Sequence, residues 1–164
     1  MSMEALDFSI DVPVRSEWAS AERLRASVGG CVLAMFGDPD ASHAVSLVTA
    51  ELAENAIKYG RWTDAAGTFR VRVWGNRPCA HVAVECPVDP DPGATRRLFD
   101  TLRWIAGFPT AEEAYRARLL EIAASPGGGD GSRLGLVRLV YEAGCTLRAE
   151  IDGDVLRVTA DVAW

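Results

Sequence analysis

The stretch that most constrains this chain is the run Glu51 to Gly60, ELAENAIKYG, which ends a helix predicted to begin near Asp40. Residues four apart on a helix lie on neighbouring turns of one face, so the Glu51 carboxylate and the Asn55 amide point the same way. An apolar stripe lies beside this pair and consists of Val45, Val48, Leu52, Ala56 and Tyr59. We therefore expect the pair to border the core, where a carboxylate can orient water or a hydroxyl and an amide oxygen suits Mg²⁺.

A second motif, GGGDGSRLGL, begins at Gly127, about 70 residues after the first. Its glycines allow backbone N–H groups to approach phosphate oxygens, and a helix starting at Ser132 would point its positive end at the same place. Gly135, between two leucines, permits close packing of that helix. The alternative is a flexible connector between two helices, because consecutive glycines also describe a mobile loop.

Together the two motifs resemble those of the GHKL superfamily, the ATP-binding fold of histidine kinases, gyrase-type ATPases and bacterial anti-sigma-factor kinases. The run from Glu51 to Gly60 is similar to the superfamily's N box, and the run from Gly127 to Leu136 is similar to its glycine-rich lid. The chain length and residues 86–125 are most similar to the small SiaB-type protein kinases of bacterial partner-switching systems. The resemblance implies that residues 1–164 form one GHKL ATPase-like domain, the Bergerat fold.

The resemblance also implies roles for single residues, with ATP and Mg²⁺ as cofactors. Glu51 would activate or orient the attacking group, and Asn55 would hold Mg²⁺ through its side-chain oxygen. Lys58 would meet a phosphate, or would instead pair with Glu54 at four-residue spacing. The other implied nucleotide-binding residues are Glu85 and Asp89 after a strand, and Gly127, Gly128, Gly129, Gly131, Ser132 and Gly135 in the lid. The alternative for Glu51 and Asn55 is that they are polar residues on the solvent flank of a helix.

One segment departs from the superfamily pattern. A nucleotide-binding member has Asp-x-Gly-x-Gly after a strand, whereas this chain reads ECPVDPDPG from Glu85 to Gly93. Three prolines remove backbone N–H donors there, and Val88 stands where a glycine is expected. Glu85, Asp89 or Asp91 would have to replace the aspartate that accepts the adenine amino group.

Two functions remain open. The first is an ATP- and Mg²⁺-dependent protein serine/threonine kinase or ATP-gated switch in bacterial signalling, in which positioning and charge neutralisation do most of the chemistry. Its partner would be a small antagonist protein, STAS-like or of another signalling kind. The second is a non-catalytic regulator that keeps the fold, binds protein and has lost nucleotide. Trp74 and Trp164 are candidates for an aromatic patch on the uncovered sheet face, suited to a partner or a homodimer.

Periodicity predicts an α+β two-layer sandwich, with a mixed, mainly antiparallel sheet and helices on one face. Alternation over 6–12 predicts an edge strand that Pro13 stops, and hairpins are predicted over 69–85 and 146–162. Helices are predicted over 15–36, 40–60, 94–105, 111–124 and from Ser132 to Gly144. Asp40 or Ser42 would cap the second helix, and Thr110 with Glu113 the fourth.

Charge and cysteine content exclude several classes of function. The net charge of −6 argues against general binding to nucleic acid or to an anionic membrane. No apolar run is long enough to span a bilayer and the N-terminus is acidic, so a cytoplasmic protein is expected. The four cysteines form no C-x-x-C pair, which favours buried, reduced thiols over zinc binding.

Overall fold

The structure is a computed structural model that describes residues 5–13, 19–59, 67–88, 91–125 and 132–164. The helices and strands within these ranges follow in the order β1 (Ala5–Pro13), α1 (Ala19–Phe36), α2 (Pro39–Tyr59), β2 (Thr68–Asn76), β3 (Cys79–Pro87), α3 (Pro92–Ala106), α4 (Ala111–Ala124), α5 (Ser132–Ala143), β4 (Thr146–Asp152) and β5 (Val155–Ala163).

The five described strands form one sheet in the order β1-β2-β3-β5-β4. Every pairing between them is antiparallel, and β1 lies at an edge as its stop at Pro13 predicted. Two hairpins supply four of the strands, as expected. The predicted fold class, an α+β two-layer sandwich, is confirmed. The sheet was expected to be mixed, whereas the described strands pair only antiparallel, because hairpins supply four of the five strands.

Alternation of side chains gives the sheet an apolar side and a polar side. The apolar side faces the helices. Its centre includes a row of cross-strand neighbours from β2, β3 and β5, in which Val71 and Val84 are buried and Val158 is partly buried. The polar side, here called the open face, carries charged and aromatic side chains: Asp7, Asp11, Arg70, Arg72, Trp74, His81, Glu85, Arg148, Glu150, Arg157 and Asp161. This division follows from the period of two along each strand.

Helix α2 packs its apolar stripe on the sheet, and Val45, Val48 and Leu52 are almost completely buried. Its first turn is capped by Asp38, whose side chain accepts from the N–H groups of Asp40 and Ala41 at 3.0 and 3.1 Å. The predicted caps, Asp40 and Ser42, are therefore wrong. Pro39 explains the difference, because proline suits the first helical position and places the capping residue immediately before it.

Helix α1 crosses α2 at a close contact that depends on Gly29. A Cβ added to Gly29 would collide with Ser46 Oγ, while Ser42 Oγ donates to the Gly29 carbonyl at 2.8 Å. The neighbouring Gly30 faces open space. The pair Gly29-Gly30 thus includes a packing site, and the helix continues through it.

Helices α3 to α5 complete the layer over the apolar side of the sheet. Asp91 caps α3 by accepting from the Gly93 N–H at 2.9 Å, and Thr110 caps α4 as predicted, accepting from the Glu113 N–H at 3.2 Å. Helix α4 lies on α5, where the rings of Tyr115 and Tyr141 stack with centroids 4.8 Å apart. Helix α5 in turn packs on α2 and on α3.

The two tryptophans expected on the uncovered sheet face lie in different places. Trp74 is on the open face, where it stacks on His81 with ring centroids 5.2 Å apart. Trp164 packs on Phe36 of α1, with centroids 5.6 Å apart, and belongs to the apolar side. The expectation for Trp164 was wrong because the alternation of β5 continues past its last residue: Trp164 follows the inward-facing positions of Ala160 and Val162, both of which are buried.

Two further expectations concern membranes and thiols. In the described part of the chain, no helix has the length and apolarity that crossing a bilayer requires. The four cysteines are free: Cys86 and Cys145 are buried as expected, but Cys79 is half-buried and Cys31 is exposed. Burial was therefore correctly predicted for two thiols and wrongly for Cys31.

A pair of glycine substitutions tests this backbone. Gly75 has φ +138°, and an added Cβ would meet the Cys79 carbonyl oxygen and lie 2.9 Å from the Ala80 Cα. We expect Gly75→Ala to lower the free energy of unfolding by about 2 kcal/mol or more, measured by urea denaturation. Gly30→Ala is the control and should raise it by about 0.5–1 kcal/mol, since Gly30 is helical and faces open space. Equal losses of unfolding free energy in both variants would contradict the close contact at Gly75 and the open space at Gly30.

Candidate functional site

Glu51 is held between α2 and α5. Its side chain is only 15% exposed, and Arg138 of α5 donates from Nη2 to Glu51 Oε1 at 2.6 Å. Gly135 lies one turn before Arg138, where an added Cβ would be 3.3 Å from Glu51 Oε2. Helix α5 therefore packs directly on the carboxylate for which the sequence predicts a catalytic role.

Further charges surround this pair. Burial, and next the negative charge of Glu51, raise the pKa of Glu54, while Arg138 opposes the shift and Glu22 of α1 adds to it. Arg138 also lies 3.7 Å from Glu142 on its own helix. Arg138 thus places a positive charge among carboxylates from three helices, and it lessens their mutual repulsion.

Asn55 lies one turn after Glu51 and is half-buried. Its Nδ2 donates to the Glu51 backbone carbonyl at 2.8 Å, which leaves the amide oxygen for another partner. Asn55 borders a cavity of about 20 Å³ between α2 and the sheet, which is lined by Leu52, Asn55, Ala56, Val84, Cys86, Leu98, Leu136, Leu156 and Val158. This volume holds about one water molecule.

The described residues suit Mg²⁺ better than they suit the purine base of ATP. An amide oxygen beside a carboxylate suits Mg²⁺, which keeps several waters and takes few protein ligands. Among the described residues, no cluster of three or more His, Cys, Asp or Glu side chains is arranged to hold a metal ion alone. A purine is much larger than the cavity beside Asn55, so a base does not fit there unless its apolar lining moves.

Glu85 is not brought to this cavity. It lies on the open face, where Arg157 Nε donates to Glu85 Oε1 at 2.6 Å. The next residue, Cys86, is buried and lines the cavity instead, because alternate residues of β3 point to opposite sides of the sheet. The Val88 N–H donates to the Asp154 carbonyl at 2.8 Å, so the strand end is tied to the β4–β5 turn.

The other nominated residues divide into two groups. Lys58 is exposed in the last turn of α2, and Ser132 is the first residue of α5. Gly135 is in α5 beside Glu51. Asp89, Gly127, Gly128, Gly129 and Gly131 lie outside the described residues. The structure therefore brings together Glu51, Asn55 and Gly135, and separates Glu85 from them.

Sequence reasoning missed two residues of the site, Arg138 and Cys86. A signal existed for Arg138, because it lies three residues after Gly135 and so shares its helix face. For Cys86 the signal was the alternation of β3, which places Cys86 on the same side as the buried Val84.

The fold is similar to that of a chain in the crystal structure of the SiaB–SiaC complex from Pseudomonas aeruginosa. The TM-score is 0.67 at 17% sequence identity, over 99% of this chain and 92% of that chain. No protein-family model matches this chain, and no curated protein matches it significantly. The likeness extends over nearly the whole of both chains, and it concerns the fold.

Thiol reactivity tests the burial of this site. Burial raises the pKa of Cys86 to about 11 and that of Cys145 to about 12. Since the thiolate is the reactive form, we expect iodoacetamide at pH 8 to alkylate Cys31 and Cys79 well before Cys86 and Cys145, measured by peptide mass spectrometry. All four should react in urea, which is the control. Rapid alkylation of Cys86 in the folded protein would contradict a closed cavity.

Proposed function

We propose that this protein is an ATP- and Mg²⁺-dependent regulator of the protein serine/threonine kinase kind, acting on a protein partner in a bacterial partner-switching system. The observation that carries the proposal is the setting of Glu51: a mostly buried carboxylate, one turn before an amide oxygen, packed on the helix that follows the glycine run. A carboxylate that is mostly buried and held in one orientation by an arginine suits the positioning of a reacting hydroxyl group, and it is not a residue on a solvated helix flank.

Each residue has a defined task in this proposal. Mg-ATP, when bound, supplies the transferable phosphoryl group. Asn55 would hold the Mg²⁺ through its side-chain oxygen, which its Nδ2 hydrogen bond to the Glu51 carbonyl leaves available. The start of α5 at Ser132, with the preceding glycines, would place N–H groups near phosphate oxygens. Lys58, in the last turn of α2, would supply a further positive charge.

Glu51 would accept the proton of a partner hydroxyl. Its charge and that of Glu54 repel each other, since Glu51 raises the pKa of Glu54. Arg138 keeps the carboxylate in place before the proton arrives. Glu85 has no part in nucleotide binding in this proposal, because it is paired with Arg157 on the open face.

A protein partner is supported by the fold comparison. The similar chain comes from the crystal structure of a complex between two proteins, SiaB and SiaC. We propose that this chain also acts on a protein partner. That partner is a small signalling protein of the STAS-like kind, which carries the serine or threonine that is phosphorylated.

A second candidate is a protein-binding regulator of the same fold without nucleotide. Two observations favour it: the cavity beside Asn55 is apolar and holds only about one water, and the carboxylate at the strand end faces away from it. Binding of Mg-ATP separates the two candidates.

Thermal melting with Mg-ATP is the first test. A ligand that binds only the folded state raises the melting temperature, by about 5–10 °C at a concentration a hundred times its Kd. We expect this shift for the wild type. In Asn55→Ala we expect Mg²⁺ to add nothing to the shift that ATP produces without it. Ser27→Ala is the matched control, because Ser27 makes the same hydrogen bond to the carbonyl four residues earlier, at 2.9 Å, but on α1.

The outcome is decisive in either direction. An unchanged melting temperature in wild type at millimolar Mg-ATP would reject the kinase proposal and leave the protein-binding regulator. A shift that Asn55→Ala and Ser27→Ala both retain would reject Asn55 as the metal ligand.

Substitution of the proposed base is the second test. We expect Glu51→Gln to reduce hydrolysis of γ-labelled ATP, in which water replaces the partner hydroxyl as the attacking group, by about 100-fold or more, because the amide cannot accept the proton of that group. Its melting shift with Mg-ATP should remain, because the glutamine has nearly the same size as glutamate. Equal turnover by Glu51→Gln and wild type would remove Glu51 from this role.

A further inference from the structure

We infer that Arg138 is a positioning residue that fixes the Glu51 carboxylate so that one oxygen, Oε2, stays free to accept a proton near the start of α5. This inference rests on the proposed function and adds to it an account of how the Glu51 carboxylate is oriented. It concerns a contact between two helices whose residues are 87 positions apart in the sequence.

The geometry distinguishes the two oxygens of Glu51. Arg138 donates to Oε1 at 2.6 Å, a short, charge-assisted hydrogen bond. Gly135 lies nearest Oε2 and is one turn closer to the N-terminus of α5, about 4.5 Å along the helix axis. The oxygen that Arg138 does not hold therefore lies towards the end of α5 that follows the glycine run.

Burial explains why an arginine is needed for this. The Glu51 side chain is 15% exposed and has Glu54 for a neighbour, so an unpaired carboxylate there would be drawn towards solvent. Arg138 is 41% exposed and lies 3.7 Å from Glu142, so its guanidinium is steadied from the outer side. The arginine thus keeps the charge of Glu51 inside the site.

Gly135 allows Oε2 to lie close against α5. A Cβ at this position would stand 3.3 Å from Oε2, a tight contact that would displace the carboxylate from the helix. Arg138 and Gly135 therefore act on opposite oxygens of one carboxylate: the first binds Oε1 and the second leaves room at Oε2. A purely structural ion pair would require only the first of these.

The first arm of the experiment uses the protein without nucleotide. Melting temperatures are measured for Arg138→Met, Glu51→Gln and the double variant. If the two side chains interact, Arg138→Met lowers the melting temperature in the wild-type background and lowers it much less in the Glu51→Gln background. Equal decreases in both backgrounds would show that the pair does not form, and would overturn the inference.

The second arm measures hydrolysis of γ-labelled ATP with Mg²⁺. We expect Arg138→Met to lower kcat about tenfold or more while KM for Mg-ATP stays within about twofold, because the base is misplaced and the nucleotide site is intact. Arg138→Lys should recover part of kcat, since it restores one charged hydrogen bond. Arg148→Met is the control: Arg148 makes a comparable ion pair with Asp161, at 2.7 Å, on the open face.

Three other outcomes would reject the positioning role of Arg138. An unchanged kcat in Arg138→Met, alongside a loss in Glu51→Gln, would reduce Arg138 to a structural ion pair. A large rise in KM without a fall in kcat would make it a nucleotide-binding residue. If the wild type neither binds nor hydrolyses ATP, the proposed function is rejected and the positioning role with it, while the thermal cycle still establishes whether the pair forms.

Discussion

The burial of α2 against the sheet is the interaction on which the rest of this structure depends. Val45, Val48 and Leu52 are almost wholly removed from water, so neither the rotation nor the height of this helix can change without exposing them. That constraint fixes the flank that carries Glu51 and Asn55. Helix α5 packs on the same flank, so the position of the site follows from the core and needs no separate structural element.

Local signals predicted most of the fold correctly. The Thr110 cap of α4, the hairpin strands and the edge position of β1 are each determined within a few residues, by capping chemistry or by alternation. Two local expectations were wrong. Asp38 caps α2 in place of Asp40 because Pro39 takes the first helical position. Trp164 continues the inward-facing positions of β5 and packs on Phe36, so the alternation itself indicates its side of the sheet.

The site was predictable to a smaller extent. The spacing of Glu51 and Asn55 places them on one face of one helix, which needs no tertiary information. The contact with Arg138 depends on how α5 crosses α2, and the filling of the cavity beside Asn55 depends on side chains from α3, α5 and β5. No pattern along the chain encodes such crossings. Glu85 is a different case, because the alternation of β3 places it opposite Val84 and Cys86 and so could have excluded it from the site.

The ion pairs of the open face have a consequence for the folding of the chain. Arg72 reaches Asp7 and Arg157 reaches Glu85, so each pair joins strands separated by 65 or 72 residues. A shift of one residue would turn these arginines into the apolar layer, which makes them a check on strand alignment. These ion pairs can form only after strands far apart in the sequence have met. We therefore expect the complete sheet to form late in folding, after α1 and α2 have packed on each other.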